Sequence, residues 1–310
     1  MNFPICSPEP SEVTFTSPAR QQTKSDVLLF VTTDIQGARK RLLRFRAAFL
    51  KSRPYNRFAV VTFDARAKTY VQQIVIEGVP MNHYVFGVDA VNTICYPNKG
   101  VTRPFKLIPG NSDFITLLFR KLQPQFEHYW FLEDDVEYTG DPAYLFDDLS
   151  KRQGDLLATH LARSYDEWAY TAGRQTPGCV PDDTWLIFLP FYRVSANALD
   201  TIDAYYHKGW TGHHENMWAT ILIHAGLSVI DIGGQGDYVA EADRNKHYYG
   251  YAHDRYEKNG SFGTLNIRLW PGWRKNVLWH PVKPPGAWLR QRKKRLISQC
   301  KWVWGRLRKT

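Results

Sequence analysis

Residues 128 to 141 read HYWFLEDDVEYTGD. An apolar, aromatic run that ends in Glu133, Asp134 and Asp135 gathers negative charge at one point, which is costly unless a cation, a ligand or water compensates it. If the run is a strand, its alternation sends Glu133 and Asp135 to one face and Asp134 to the other. Oxygen donors of this kind suit Mn²⁺ or Mg²⁺, which keep waters and recruit phosphate oxygens, so a nucleotide diphosphate is the natural co-ligand. Two later segments add groups that could act with the acids. GWTGHHENMW (209–218) offers Glu215 at the start of an expected helix, and VLWHPVK (277–283) offers His280. A helix N-terminus favours an acid by about 0.3–1 kcal/mol whatever its chemistry. A lone histidine is more often a hydrogen-bonded structural residue than a ligand. Residue types alone leave both readings open.

Candidates for holding a ligand are less specific. Thr32, Thr33 and Asp34 close the first apolar run and Asp64 closes the second, positions where an α/β sheet meets its ligand and where turns and helix caps also use such residues. KLIPGNSDF (106–114) places Lys106 and Asn111 just before an expected helix, and its PGNSD is equally an ordinary turn and cap. The chain carries 17 Tyr, 17 Phe and 11 Trp. Among them Trp168, Tyr170, Trp210 and Tyr238 are the candidates for stacking on the apolar faces of a sugar, although packing beneath loops accounts for any one of them at least as well.

The elements that must position these groups alternate. DVLLFVTT (26–33) reads as a strand, QGARKRLLRFRAAFLKS (36–52) as a helix and RFAVVTFDA (57–65) as a second strand, a βαβ opening. NHYVFGVDAV (82–91) reads as a further strand and NSDFITLLFRKL (111–122) as a helix leading into the acidic strand. Beyond it, DLLATHLA (155–162), DTWLIFLPFYRV (183–194) and LSVIDIGG (227–234) read as strands, with helices over 195–209 and 213–226. Such alternation predicts an α/β fold, a sheet covered by helices with its site at the strand C-terminal ends. Neither a GxGxxG after the first strand nor a GKS or GKT is present, which disfavours classical dehydrogenases and P-loop kinases.

With that order in place, WFLEDDV resembles the short acidic DxD-type metal motif of GT-A glycosyltransferases, the nucleotide-diphospho-sugar transferase superfamily, in a Glu-Asp-Asp variant. The resemblance implies a GT-A (Rossmann-like) mixed, mainly parallel sheet. It implies Asp135 and His280 as ligands of Mn²⁺ or Mg²⁺, with Asp134, and less directly Glu133, on the donor nucleotide-sugar. Lys106 and Asn111 fall where such proteins often contact the nucleotide, and Thr33 and Asp64 complete the expected donor site. Glu215 falls where they carry the acid that activates an acceptor hydroxyl, which would make transfer inverting. The acceptor would be a glycan or a lipid-linked molecule, as in polysaccharide biosynthesis, with Trp168, Tyr170, Trp210 and Tyr238 as its expected contacts. Clustered acids also suit a metal-dependent phosphoesterase, though no clear second ligand set is visible, and a non-catalytic carbohydrate-binding protein of the same fold is the third reading.

Charge divides the chain. Of the net +10, nine Lys or Arg without an acid lie from Gly286 onward, leaving the rest at +1. The pI therefore gives no ground for specific nucleic-acid binding. Leu289, Leu296, Cys300, Val303 and Leu307 form a helical stripe among the cations, so 284–310 reads as a basic amphipathic tail suited to an anionic membrane surface, with docking on the body or a partner, or a solvated tail drawn non-specifically to polyanions, as the alternatives. Residues 1–24 read as a loose polar arm without an apolar signal core, and 25–283 as the catalytic domain. The longest apolar stretch, WLIFLPFY (185–192), is far shorter than the roughly 18 residues of a membrane span. Four widely spaced cysteines suggest neither a disulfide framework nor a zinc site. A cytoplasmic protein, peripheral on the inner face of a membrane, is the expectation.

Overall fold

The structure, a computed structural model, describes residues 25–290 and 293 apart from 54, 101–106, 108–109, 165–172, 179–182, 251–259 and 265–266. The expected arm 1–24, Lys106, Trp168, Tyr170 and most of the basic tail lie outside the described residues.

The chain opens as its pattern predicts. Strand β1 (Asp26–Val31) leads into helix α1 (Ile35–Ser52) and strand β2 (Arg57–Phe63), which pairs parallel to β1. Asp34 starts α1 by accepting the Gly37 N–H at 2.9 Å. Ala38, Leu42, Phe45, Ala48 and Phe49 give α1 one buried stripe, and burying each large member contributes about 1.5–3 kcal/mol.

After β2 the expected strand over 82–91 proves to be two elements. Strand β4 (Val79–Phe86) ends before Gly87, and helix α2 (Val88–Asn92) follows, capped at Gly87. Ahead of it, β3 (Tyr70–Ile76) forms an edge hairpin with β4 that the sequence reading passed over, since YVQQIVI is exposed along most of its length and shows no buried face. Helix α3 (Asp113–Leu122) then feeds the acidic strand β5 (His128–Glu133), which lies parallel to β1.

Strand β6 (Glu137–Thr139) and helix α4 (Pro142–Ser150) follow, and neither was anticipated. Strands β7 (Leu156–Arg163) and β8 (Trp185–Ser195), helices α5 (Ala196–His207) and α6 (His214–His224) and strand β9 (Val229–Asp231) match the expected segments. The short strand β10 (Val277–Trp279) pairs antiparallel with β6.

One mixed sheet of eight strands, ordered β3-β4-β2-β1-β5-β8-β7-β9, spans the fold, and four of its seven pairings are parallel. The two core clusters divide the helices: α1 and α4 contribute to one, and α2, α3, α5 and α6 to the other. Two features of this sheet create a site. The ladder between β5 and β8 stops at Leu132↔Phe191, so residues 185–190 of β8 overhang the acidic end of β5. Pro190, which has no N–H to donate, sits in that overhang. The β6–β10 ladder then returns the C-terminal segment, and Val282 N–H donates to the Asp135 carbonyl at 2.7 Å.

Candidate functional site at the end of β5

The overhang of β8, the end of β5, the start of α6 and the segment 280–283 enclose an open cleft of about 470 Å³. Glu133, Asp135, Glu215, His280 and Lys283 all line it, with Phe188, Leu189 and Ile267 as apolar wall and Ser112, His213 and His214 on the α3–α6 side. Strand alternation has the expected consequence. Glu133 and Asp135 turn into the cleft, while Asp134 turns back to β1 and accepts the Thr32 hydroxyl at 2.5 Å.

His280 sits over the two inward acids. Its Nε2 lies 3.6 Å from Glu133 Oε2 and 3.3 Å from Asp135 Oδ1. Its Nδ1–H donates to the Gly263 carbonyl at 2.7 Å, which fixes the ring and aims Nε2 at the carboxylates. Phe188 and Phe262 pack against the imidazole at 5.4 Å between ring centres. Phe262 is held in turn by His160, whose Nε2–H donates to its carbonyl at 2.6 Å.

Asp135 Oδ1 is buried and makes no hydrogen bond despite the nearby imidazole, and Asp135 Oδ2 meets the Lys283 ammonium. Burial opposes ionisation of Asp135, yet His280 and Lys283 hold its carboxyl well below the usual range; the same acids push His280 up to about 10 against its own burial. A buried carboxylate oxygen without a hydrogen bond, a second carboxylate and an imidazole nitrogen, all within 4.8 Å of one another, are a donor set that fits a hard divalent ion.

Glu215 approaches from α6. His213 caps that helix, its Nδ1 accepting the Glu215 N–H at 3.3 Å, and the Leu189 N–H donates to Glu215 Oε1, also at 3.3 Å. Burial pushes the Glu215 carboxyl up to about 8, with Glu133 adding to the rise and His280 opposing it. Burial also drives His213 down to about 2 and His214 down to about 3, so both imidazoles are neutral at ordinary pH.

The α6 start is held in place from below. Lys99, fully buried, donates to the carbonyls of Gly110 at 2.9 Å and Gly212 at 3.0 Å and pairs with Asp113 at 3.2 Å. One ammonium thereby joins the loop before α3 to the loop before α6. Both Gly110 and Gly212 adopt positive φ, and a Cβ at Gly110 would stand 2.7 Å from the His213 ring.

Among the described residues, the remaining expected ones are not brought to the cleft lining. Thr33 is exposed at the end of β1, and Asp64 turns onto its own loop, accepting the Arg66 N–H at 2.9 Å. Asn111 is half-buried beside the lining residue Ser112. Trp210 is 2% exposed and packs edge-on against Tyr205 at 4.9 Å, a core position that leaves no face for an acceptor. Tyr238 is exposed and meets Trp185 at 4.8 Å, away from the lining residues. Sequence reasoning missed Lys283, Ser112 and Lys99. Lys283 stood in the quoted HPVK with no visible partner, and the signal was its spacing of three from His280.

A second acidic group, Asp26, Glu127 and His128, lies at the opposite ends of β1 and β5. Its capacity is already used. His128 Nδ1–H and Trp130 Nε1–H each donate to Asp26 at 3.0 Å, and Arg193 donates to His128 Nε2 at 3.1 Å.

No family model matches the chain, and no curated protein matches it. Solved structures do. A galactosyltransferase, LgtC, in complex with donor and acceptor sugar analogs is 11% identical, with 68% of this chain and 76% of that chain covered at a TM-score of 0.39. Core-mannan synthase A from Aspergillus fumigatus, in a Mn/GDP form, is 11% identical over 69% and 74% at 0.36. Mouse xyloside xylosyltransferase 1 is 9% identical over 69% and 87% at 0.33. These matches are glycosyltransferases by name, and likeness of this degree leaves every residue's role to the cleft's own geometry.

Proposed function

We propose that the chain is a metal-dependent glycosyltransferase of the GT-A type, transferring a sugar from a nucleotide-sugar donor to a glycan or lipid-linked acceptor with inversion at the anomeric carbon. The observation that carries this reading is the convergence of Glu133, Asp135, His280, Lys283 and Glu215 on one cleft. Asp135, His280 and Glu133 would hold a divalent ion, Mn²⁺ or Mg²⁺, which would supply Lewis-acid neutralisation of charge on a departing diphosphate.

The chain's own groups do the rest. Gly263 orients the His280 imidazole through Nδ1. Lys283, resting on Asp135, brings a second positive charge into the cleft for the same phosphate oxygens. Glu215, aimed by the Leu189 N–H, takes the proton from the acceptor hydroxyl. Its raised pKa suits a base that is neutral in the empty cleft and ionises once cationic charge is added. Asp134 contributes by fixing the strand end through Thr32, and Thr33, Asp64, Lys106 and Asn111 remain donor-site candidates of lower rank. Trp168, Tyr170 and Tyr238 hold the same rank for the acceptor. The basic tail 286–310 would hold the protein on the cytoplasmic face of an anionic membrane.

A two-metal phosphoesterase is disfavoured, because its ions stand about 3.5–4 Å apart and, among the described residues, the second acidic group lies at the other end of β5. The test is a thermal-shift panel of UDP-, GDP-, CMP- and dTDP-sugars with Mn²⁺, Mg²⁺ or chelator on wild type and Asp135→Ala. One donor that stabilises wild type only with metal, and not the variant, supports the proposal. No shift with any pair overturns it, and binding without turnover in an acceptor screen selects the non-catalytic reading.

A further inference from the structure

Trp270 at 69% and Trp273 at 101% exposure are the two most exposed large apolar side chains among the described residues. A tryptophan carries one of the largest apolar surfaces of any side chain, and two exposed within one loop are a costly display for a loop with no use for them. The loop is firmly seated. At its start Arg268 N–H donates to the Pro281 carbonyl and Lys283 N–H donates back to Arg268, each at 2.9 Å. At its end Asn276 N–H donates to Thr139 at 2.6 Å. In between, Gly272 lies so close on the buried Trp279 ring that a Cβ would stand 2.0 Å from it. The backbone is held while both indoles point outward.

Along the sequence, charge from the loop onward has one sign. No Asp or Glu follows Glu257 in the sequence, while Arg268, Arg274, Lys275, Lys283 and the nine cations of 286–310 do. Arg268 and Arg274 lie over the rings of Trp279 and Tyr249 at 4.8 and 4.9 Å, which ties their positions to the same surface. The helical turns over 285–290 leave directly from Lys283, with Leu289 59% exposed, so the tail departs from the edge that bears the loop. Ile267 and Lys283, at the root of this edge, line the cleft.

We propose that the 268–276 loop is a membrane-docking element whose Trp270 and Trp273 enter the headgroup region of an anionic bilayer, with the exposed loop cations Arg274 and Lys275 on its phosphates. Indoles favour the interfacial region, and cations beside them favour anionic over neutral lipid. This inference does not depend on what the cleft transfers, since docking needs neither donor nor metal.

The experiment is co-sedimentation of the full chain with vesicles of pure phosphatidylcholine and of phosphatidylcholine with one-third phosphatidylglycerol, for wild type and the double variant Trp270→Ser/Trp273→Ser. Binding to the anionic vesicles, about tenfold or more weaker in the variant at an unchanged melting temperature, is the expected result. In wild type alone, anionic vesicles should also reduce quenching of tryptophan fluorescence by acrylamide, a readout that needs no variant. Failure of wild type to bind anionic vesicles overturns the proposal. So does a folded variant that binds as wild type does, which would leave membrane contact to the tail and the indoles to a carbohydrate or protein.

Discussion

Replacing Glu215 by Gln should inactivate the protein and stabilise it at the same time. The carboxyl is moved from an ordinary 4.5 to about 8, chiefly because burial penalises its charged form. Between those values the unfolded chain has lost the proton and the folded chain still holds it, so stability falls as pH rises from about 4.5 and reaches a constant deficit above about 8. At 1.36 kcal/mol per pKa unit the deficit has a ceiling of about 5 kcal/mol. The side chain keeps 12% of its exposure, and local relaxation brings the expected effect to about 2–4 kcal/mol. Gln retains an oxygen for the Leu189 N–H and cannot ionise. Urea denaturation of the metal-free proteins at pH 4, 7 and 9 should therefore show near-equal stability at the lowest pH and a growing advantage for Glu215→Gln above it. Turnover should fall by about 10²–10⁴ if Glu215 is the base. A variant that is less stable at pH 9, or whose difference from wild type is the same at every pH, would falsify the assignment of a strained, buried carboxyl.

Other outcomes follow from the same geometry. Because Glu215 must be ionised to accept a proton, kcat/KM should drop as pH falls, with its acidic limb between about 4.5 and 8, and a pH–rate series that is flat there removes Glu215 as base. Asp135→Asn should abolish metal binding seen by titration calorimetry, since it removes one of the three clustered donors; unchanged affinity would place the ion elsewhere. Lys99→Met strands the buried Asp113 carboxylate and releases Gly110 and Gly212, so it should cost about 3–5 kcal/mol in denaturant, and a loss below about 1 kcal/mol would show that the staple is dispensable.

The β1–α1–β2 opening was legible because each element answers to a local rule: the apolar run of 26–31, the cap at Asp34 and the stripe from Ala38 to Phe49 are all set within a few residues. The acidic end of β5 was legible for the same reason, and the period of two sent Glu133 and Asp135 one way and Asp134 the other. Strand β3 was not, because an exposed edge strand needs no apolar alternation, and β6 and β10 are three-residue strands whose pairing partner lies about 140 residues away. The sequence by itself thus determined the elements, the acidic strand end and the residue types on hand. Only the tertiary structure decided that the overhang of β8, the Lys99 staple and the β6–β10 ladder bring Glu215, His280 and Lys283 to those acids. Contacts between distant segments are fixed by ladder register and by packing of the whole sheet, and neither is encoded in any one window of residues.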